Sequence, residues 1–141
     1  MKNKDIYNFL ISLARDLNKF YKLKLNKKFK AKNKGSDSNY DPVTVADKKF
    51  EKFIRTKIVK KFPQHSIIGE EFGLKNKKSD YSWVIDPIDG TTNFLHGIPH
   101  FCISIGLKFR DEIISGIIFD PIKNETFYAE KNQGAYFNNH R

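Results

Sequence analysis

Residues 83–96 read Trp83-Val84-Ile85-Asp86-Pro87-Ile88-Asp89-Gly90-Thr91-Thr92-Asn93-Phe94-Leu95-His96. A short apolar run delivers Asp86 at its end, Pro87 forces a bend, Asp89-Gly90 makes a turn, and Thr91 and Thr92 can open a helix. Two carboxylates separated by Pro87 and Ile88 across a tight turn can converge on one point. Main-chain carbonyls, such as that of Ile88, can join them. Oxygen ligands of this kind suit Mg²⁺ or Mn²⁺ rather than Zn²⁺. The same residues are ordinary turn formers, and Asp89 alone could cap a helix.

Two acidic segments precede this one. Ile67-Ile68-Gly69-Glu70-Glu71-Phe72-Gly73 puts a carboxylate pair directly after a short apolar strand, and Asp41-Pro42-Val43-Thr44-Val45-Ala46-Asp47 spaces Thr44 and Asp47 as a capping box does. Each segment alone reads as a solvated turn or a helix cap. Together they put carboxylates at strand ends and helix starts three times over. Four such groups converging would repel strongly once partly desolvated. Divalent cations relieve that repulsion, and a pair of them can clamp a phosphate ester while activating a water.

Working outward, Ile6, Phe9, Leu10, Leu13, Leu17, Phe20 and Tyr21 recur at spacings of three and four, which predicts a helix over about 5–24. Residues 23–31 alternate Lys with apolar side chains and are ambiguous between helix end and edge strand. Residues 33–41 are polar and read as a loop. Thr44 begins a second helix, with Ala46, Phe50, Phe53, Ile54 and Ile58 on one face and Pro63 ending it. The period then changes to two, and strands are expected over 66–68, 82–85, 101–109, 112–119 and 125–129, with turns at 108–112 and 120–124. Gly134 to Arg141 runs like a further strand entering a turn. The fold class is α+β, a layered α/β arrangement of two N-terminal helices on a mostly antiparallel sheet.

Composition narrows the function. The chain has 141 residues with 26 Lys+Arg against 16 Asp+Glu, a net charge of +10 that invites a polyanion-binding reading. That charge is localised: residues 1–34 hold 11 Lys/Arg against Asp5 and Asp16, while residues 35–141 hold 15 against 14. Within residues 63–106 the sign reverses, with Lys75, Lys77 and Lys78 facing Glu70, Glu71, Asp80, Asp86 and Asp89. No apolar run approaches the ~20 residues that span a bilayer, and the N-terminus lacks a signal-peptide pattern. The single cysteine, Cys102, excludes an intrachain disulfide and a thiolate zinc cage and reads as a core residue in an apolar strand. A reducing cytoplasm is the default location.

Other motifs fail on inspection. Asp37-x-Asn39-x-Asp41 opens like a calcium loop but has Pro42 and Lys48 where Gly and Glu belong. His96 and His100 have a zinc-helix spacing interrupted by Gly97 and Pro99. There is no P-loop, nucleophile elbow or dinucleotide fingerprint. Asn124-Glu125-Thr126 is a formal sequon without a secretory context.

The acidic segments resemble the inositol monophosphatase family, the lithium-sensitive, magnesium-dependent phosphatases of the fructose-1,6-bisphosphatase-like fold. The match from Asp86 to His96 is unbroken. Gly69-Glu70-Glu71 and the Asp41-to-Asp47 segment precede it in the expected order, and Asp120-Pro121-Ile122, Phe127-Tyr128-Ala129 and Gly134-Ala135-Tyr136 look like the strands that follow. The resemblance implies that Glu70, Asp86, Asp89 and the carbonyl of Ile88 hold Mg²⁺, with Mn²⁺ as a substitute. It implies that Asp47 and Thr91, with Glu70, serve the attacking water, and that main-chain NH groups at Gly90, Thr91 and Thr92 meet the phosphate. The implied reaction is in-line attack of a metal-activated water on a small phosphomonoester, most simply inositol monophosphate. Sister branches take histidinol phosphate, adenosine bisphosphate or fructose bisphosphate; Thr92-Asn93-Phe94-Leu95-His96-Gly97 looks more like the inositol branch. Members continue for a second half with a Trp-Asp-x-Ala-Ala-Gly-like motif, so residues 1–141 resemble the N-terminal half. The implied partners are a phosphorylated polyol and, at full length, a second copy in a homodimer. Such a half is expected to expose apolar sheet surface.

A reading from another class uses the basic segment 19–34. Lys22, Lys24, Lys27, Lys28, Lys30, Lys32 and Lys34 could contact phosphates while Phe20, Tyr21 and Phe29 stack on RNA bases.

Overall fold

The computed structural model describes residues 3–25, 42–138 and 140–141. Helix α1 (Asn3–Phe20) ends in a π-helical turn, Tyr21–Leu25. Helix α2 spans Pro42–Lys61. Seven strands follow: β1 (Ser66–Gly69), β2 (Gly73–Lys75), β3 (Tyr81–Asp89), β4 (Cys102–Phe109), β5 (Glu112–Asp120), β6 (Glu125–Glu130) and β7 (Gly134–Phe137). A third helix, α3 (Thr91–Leu95), joins β3 to β4. One sheet orders the strands β2-β1-β3-β4-β5-β6-β7, antiparallel throughout except for the parallel pair β1–β3.

The apolar stripe on α1 buries Ile6, Leu10, Leu13, Ala14 and Leu17 and continues to Tyr21 of the π-helical turn, and α2 buries Ala46, Phe50, Ile54 and Ile58. Both helices lie on one face of the sheet, because strand side chains alternate between its two faces. On that face Ile85, Ile105, Ile117, Tyr128 and Tyr136 form one cross-strand row, with Trp83 and Leu107 in the next. The Trp83 ring is met edge-on by Phe9, with centroids 5.5 Å apart, and flanked by Phe62 at the same distance. Lys57 of α2 bridges to Asp16 of α1 with N···O 2.6 Å.

Three expectations are refined. Helix α2 starts at Pro42, so Thr44 lies inside its first turn instead of at the cap; proline's fixed φ and missing N–H suit that opening position. Strand β2 is absent from the sequence reading, since three exposed residues carry no alternation signal. Strand β3 runs on to Asp89, where the sequence indicated a turn after Asp86. The turn at 120–124 is as expected, held by Asp120 Oδ1 accepting from the amides of Ile122 (2.8 Å) and Lys123 (3.0 Å). Lys27 to Lys34, Phe29, the loop 33–41 and Asp41 lie outside the described residues. No described helix is long and apolar enough to cross a membrane.

The opposite face of the sheet carries no helix among the described elements. Its central row runs Val84, Gly106, Gly116, Ala129 and Ala135 across five strands. The adjacent row runs Asp86, Ser104, Ile118, Phe127 and Phe137. A floor of glycine and alanine beside half-exposed Ile118, Phe127 and Phe137 makes a shallow apolar trough of about 990 Å³. This is the exposed apolar sheet surface that the family resemblance implies, and Asp86 lies at its margin.

His65 illustrates how the helix-side core handles a polar group. Its ring stacks on Phe62 and on Tyr81, both with centroids 4.9 Å away, and its Nδ1 accepts from Trp83 Nε1 at 3.1 Å. Burial pulls its pKa below the ordinary 6.5. The unfolded chain therefore takes up the proton first, so the stabilisation is complete above about pH 6.5 and is lost as the pH falls. The expected outcome is that wild type is more stable than His65→Phe at pH 7.5, and that this advantage shrinks steadily towards pH 5. Thermal unfolding of both chains across that range checks it.

Candidate active site

Strand β3 would normally send residues separated by three positions to opposite faces. Here Asp86 pairs with Ser104 and Asp89 with Cys102, so three steps on β3 match two on β4. The extra residue is a β-bulge at Pro87-Ile88, where proline has no N–H to give to the ladder. The bulge turns Asp86 and Asp89 to the same side, that of Ser104 and Cys102. A bulged strand thus accomplishes what the sequence reading assigned to a tight turn.

Gly90 then reverses the chain with φ +95° and serves as the cap of α3, without any side-chain cap bond. Asp89 is therefore not used as a helix cap. Its Oδ2 instead lies 3.7 Å from Cys102 Sγ, the thiol donating. Cys102 was expected in the core. It is half-buried on the face opposite Ile103 and Ile105, and burial, reinforced by the Asp89 charge, pushes its thiol up to about 11. Thr91 Oγ1 donates to the carbonyl of Ile88 at 3.0 Å, fixing the orientation of that oxygen. The amide groups opening α3, including those of Thr91 and Thr92, have no helical acceptor before them.

Asp86 is the electrostatic centre of this edge. Desolvation raises its pKa, the charges of Glu70 and Asp89 raise it further, and the Ile88 amide donating to its carboxylate acts in the opposite sense. Its Oδ1 is buried without a hydrogen-bond partner. Glu70 is exposed at the end of β1, beside β3 in the parallel pairing Gly69 to Ile85. Asp47 is buried at 6% exposure on α2, whose flank also touches α3. Among the described residues no three Asp, Glu, His or Cys side chains form a ready-made metal cluster. An orphaned carboxylate oxygen, two further carboxylates within electrostatic reach and an oriented main-chain carbonyl are nevertheless the donor set that a hard divalent cation takes. His96 and His100 are exposed after α3 and complete no cluster of three ligating side chains among the described residues.

The family profile for the inositol monophosphatases matches residues 2–141. The chain belongs to the inositol monophosphatase family. It is 41% identical over 132 residues to the inositol-1-monophosphatase of Rhizobium meliloti strain 1021, covering 92% of this chain and 46% of that protein. It is 45% identical over 112 residues to the Nus factor SuhB of Escherichia coli K12, covering 79% of this chain and 41% of the relative. Its fold superposes on the crystal structure of inositol monophosphate-bound SaIMPase-II with a TM-score of 0.80 at 29% identity, covering 99% of this chain and 49% of the other. The chain thus spans about half the length of these family members. Sequence reasoning missed Glu51 of α2, a fully buried acid that touches the Glu70 loop. The signal available was an acid one turn after Asp47 and one turn before Arg55, flanked by Phe50 and Ile54.

Proposed function

We propose that this chain carries the metal-binding and phosphate-binding part of a Mg²⁺-dependent phosphomonoesterase whose substrate is inositol monophosphate. The observation behind this reading is the bulge in β3, which aims Asp86 and Asp89 at the same side, next to Glu70. Glu70, Asp86, Asp89 and the Ile88 carbonyl would hold Mg²⁺, or Mn²⁺ in its stead. The cation supplies charge neutralisation for the phosphate and a lowered pKa for a bound water. Asp47 and Thr91, with Glu70, orient the attacking water, and the Thr91 hydroxyl also keeps the Ile88 carbonyl turned. The amide groups of Gly90, Thr91 and Thr92 receive phosphate oxygens at the start of α3. Support for inositol monophosphate as substrate comes from the names of the Rhizobium relative and of the inositol monophosphate-bound structural neighbour.

The test is phosphate release by the product of the whole reading frame, with inositol 1-phosphate, histidinol phosphate and adenosine bisphosphate compared. Magnesium-dependent release, fastest with inositol 1-phosphate, is expected. No magnesium-dependent turnover of any of them would overturn the reading. Asp86→Asn is expected to weaken Mn²⁺ binding by more than the roughly 10–100-fold that outer-shell changes cost. In the metal-free chain the same change is expected to stabilise, because it removes the carboxylate that Glu70 and Asp89 repel. Calorimetric Mn²⁺ titration and thermal unfolding check the two signs separately.

A second, compatible reading concerns the basic helix end, without the base stacking expected of Phe20 and Tyr21, because Tyr21 is buried in the core and the Phe20 ring is stacked on Phe53. Arg15, Lys19 and Lys22 line a groove of about 590 Å³ with Asn18, Asn124 and Asn138. Single-stranded RNA bound there would be released steeply by salt. Absence of retention at low salt would remove this reading.

A further inference from the structure

Glu51 is 0% exposed, and an isolated buried carboxylate is among the most expensive groups a fold can carry. Its partners explain how it is held. Glu51 Oε2 accepts from the Glu71 amide at 2.6 Å, and Oε1 accepts from the Phe72 amide at 3.2 Å. Arg55 Nε, one helical turn on, donates to Oε1 at 2.7 Å, and Arg55 Nη2 donates to the carbonyl of Gly73. The Arg55 guanidinium also lies over the Phe72 ring, 5.8 Å from its centroid. Two side chains of α2 therefore grip the loop between β1 and β2 through its backbone, at Glu71, Phe72 and Gly73.

Gly69 makes this grip possible. A methyl at that position would collide with Oε1 and Cδ of Glu51 and stand 2.9 Å from Arg55 Nη2. The glycine is needed for the close approach of the acid, since its backbone is ordinary strand. The residue between Gly69 and Glu71 is Glu70, exposed at the end of β1, where the parallel pairing of Gly69 with Ile85 brings it alongside the β3 segment that continues into Asp86. The loop backbone is thus held from the helix side, while Glu70 stands exposed beside the β3 strand end that carries Asp86 and Asp89.

We propose that Glu51, locked by Arg55, is a positioning residue for Glu70: it fixes the Gly69–Gly73 backbone so that the Glu70 carboxylate meets Asp86 and Asp89 as one cation site. This rests on the metal-site reading above, and goes beyond it by assigning a role to a side chain that contacts neither the cation nor the substrate. A carboxylate is required because two main-chain N–H donors and a guanidinium converge on it. Glutamine would present an amide N–H₂ to at least one of those donors.

The test measures Mn²⁺ affinity of the 141-residue chain calorimetrically, together with hydrogen exchange of the Glu71 and Phe72 amides. Glu51→Gln is expected to weaken Mn²⁺ binding roughly 10–100-fold, as loss of an outer-shell partner does. It is also expected to speed exchange at Glu71 and Phe72 while the amides of Trp83 and Ile105 keep wild-type protection. Arg55→Lys retains the charge but loses the fork, and is expected to shift both readouts in the same direction by less. It serves as the second probe where Glu51→Gln does not fold. Ile54→Val loosens the same helix without touching the loop and is expected to move neither readout, which separates positioning from general destabilisation. Wild-type Mn²⁺ affinity in folded Glu51→Gln, or in Arg55→Lys if only that variant folds, would overturn the proposal. So would unchanged exchange at Glu71 and Phe72. Glu70→Gln run in parallel distinguishes the two levels. If it weakens Mn²⁺ binding and the Glu51 and Arg55 variants do not, positioning alone fails. If wild type binds no Mn²⁺, or Glu70→Gln binds as wild type does, the metal-site reading fails and takes this inference with it.

Discussion

Replacing Trp83 by alanine is expected to lower the unfolding free energy of this chain by about 3–5 kcal/mol, the usual cost of removing a large aromatic from a packed interior. Trp83 is 0% exposed on the helix-facing side of β3. Its removal empties a space that three rings from two separate elements share, Phe9 of α1 and Phe62 and His65 of the segment after α2. None of these can collapse inward without leaving another contact. The indole N–H is lost as well, leaving His65 Nδ1 without its donor. Trp83→Phe keeps much of the area and loses the hydrogen bond, so it is expected to cost clearly less. Chemical denaturation of the three chains measures the effect. A loss below about 1 kcal/mol for the alanine variant would mean that this core closes over cavities far more easily than packed interiors do.

The second large effect is expected at Gly90. A side chain there is forced into the left-handed region at φ +95°, which costs roughly 1–2 kcal/mol for an L-residue. It also meets main chain, the His100 carbonyl at 3.2 Å and Phe101 Cα at 3.3 Å, and backbone yields less readily than a side-chain tip. Gly90→Ala is thus expected to destabilise by at least about 2 kcal/mol. Relief can come only by moving the β3–α3 corner, so Mn²⁺ affinity should fall alongside stability. Gly116→Ala is the contrasting change. An added methyl there meets only the Ile105 carbonyl, at 3.6 Å, an ordinary contact in a strand interior. It is expected to be neutral or to stabilise by up to about 1 kcal/mol, since glycine is costly in a strand. Equal losses in the two variants would show that the position of Gly90 has no special strain.

Much of this molecule was legible in the sequence because the helices and the β4–β7 strands each obey one periodicity. The stripe from Ile6 to Tyr21 specified α1, and the alternation of Ile103, Ile105 and Leu107 specified both the strand and its buried face. The same alternation assigns Cys102 to the other face, so its placement in the core was a misjudged parity and not a missing signal. The β3 bulge is different. Asp-Pro and Asp-Gly are turn formers locally, and only pairing with β4 makes the chain continue as strand through Pro87. Glu51 was hidden for a related reason. Among Lys48, Lys49 and Lys52 an acid reads as part of a solvated face, and burial of its carboxylate is decided by a loop about 20 residues away. The candidate site residues were readable as a motif, while the groups that hold that motif in shape depend on tertiary contacts.

The order of strands in the sheet has a consequence for how the protein comes to be built. Adjacent strands are also consecutive in sequence, except that β1 reaches β3 past the three-residue β2. Each pairing closes a short loop, and short loops cost little entropy and form early. Helix α1, by contrast, must return from the far end of the chain to lie against β5. Asp86 and Asp89 therefore sit on a strand whose antiparallel partner is its neighbour in sequence, whereas Glu70 joins them through the one pairing that skips a strand.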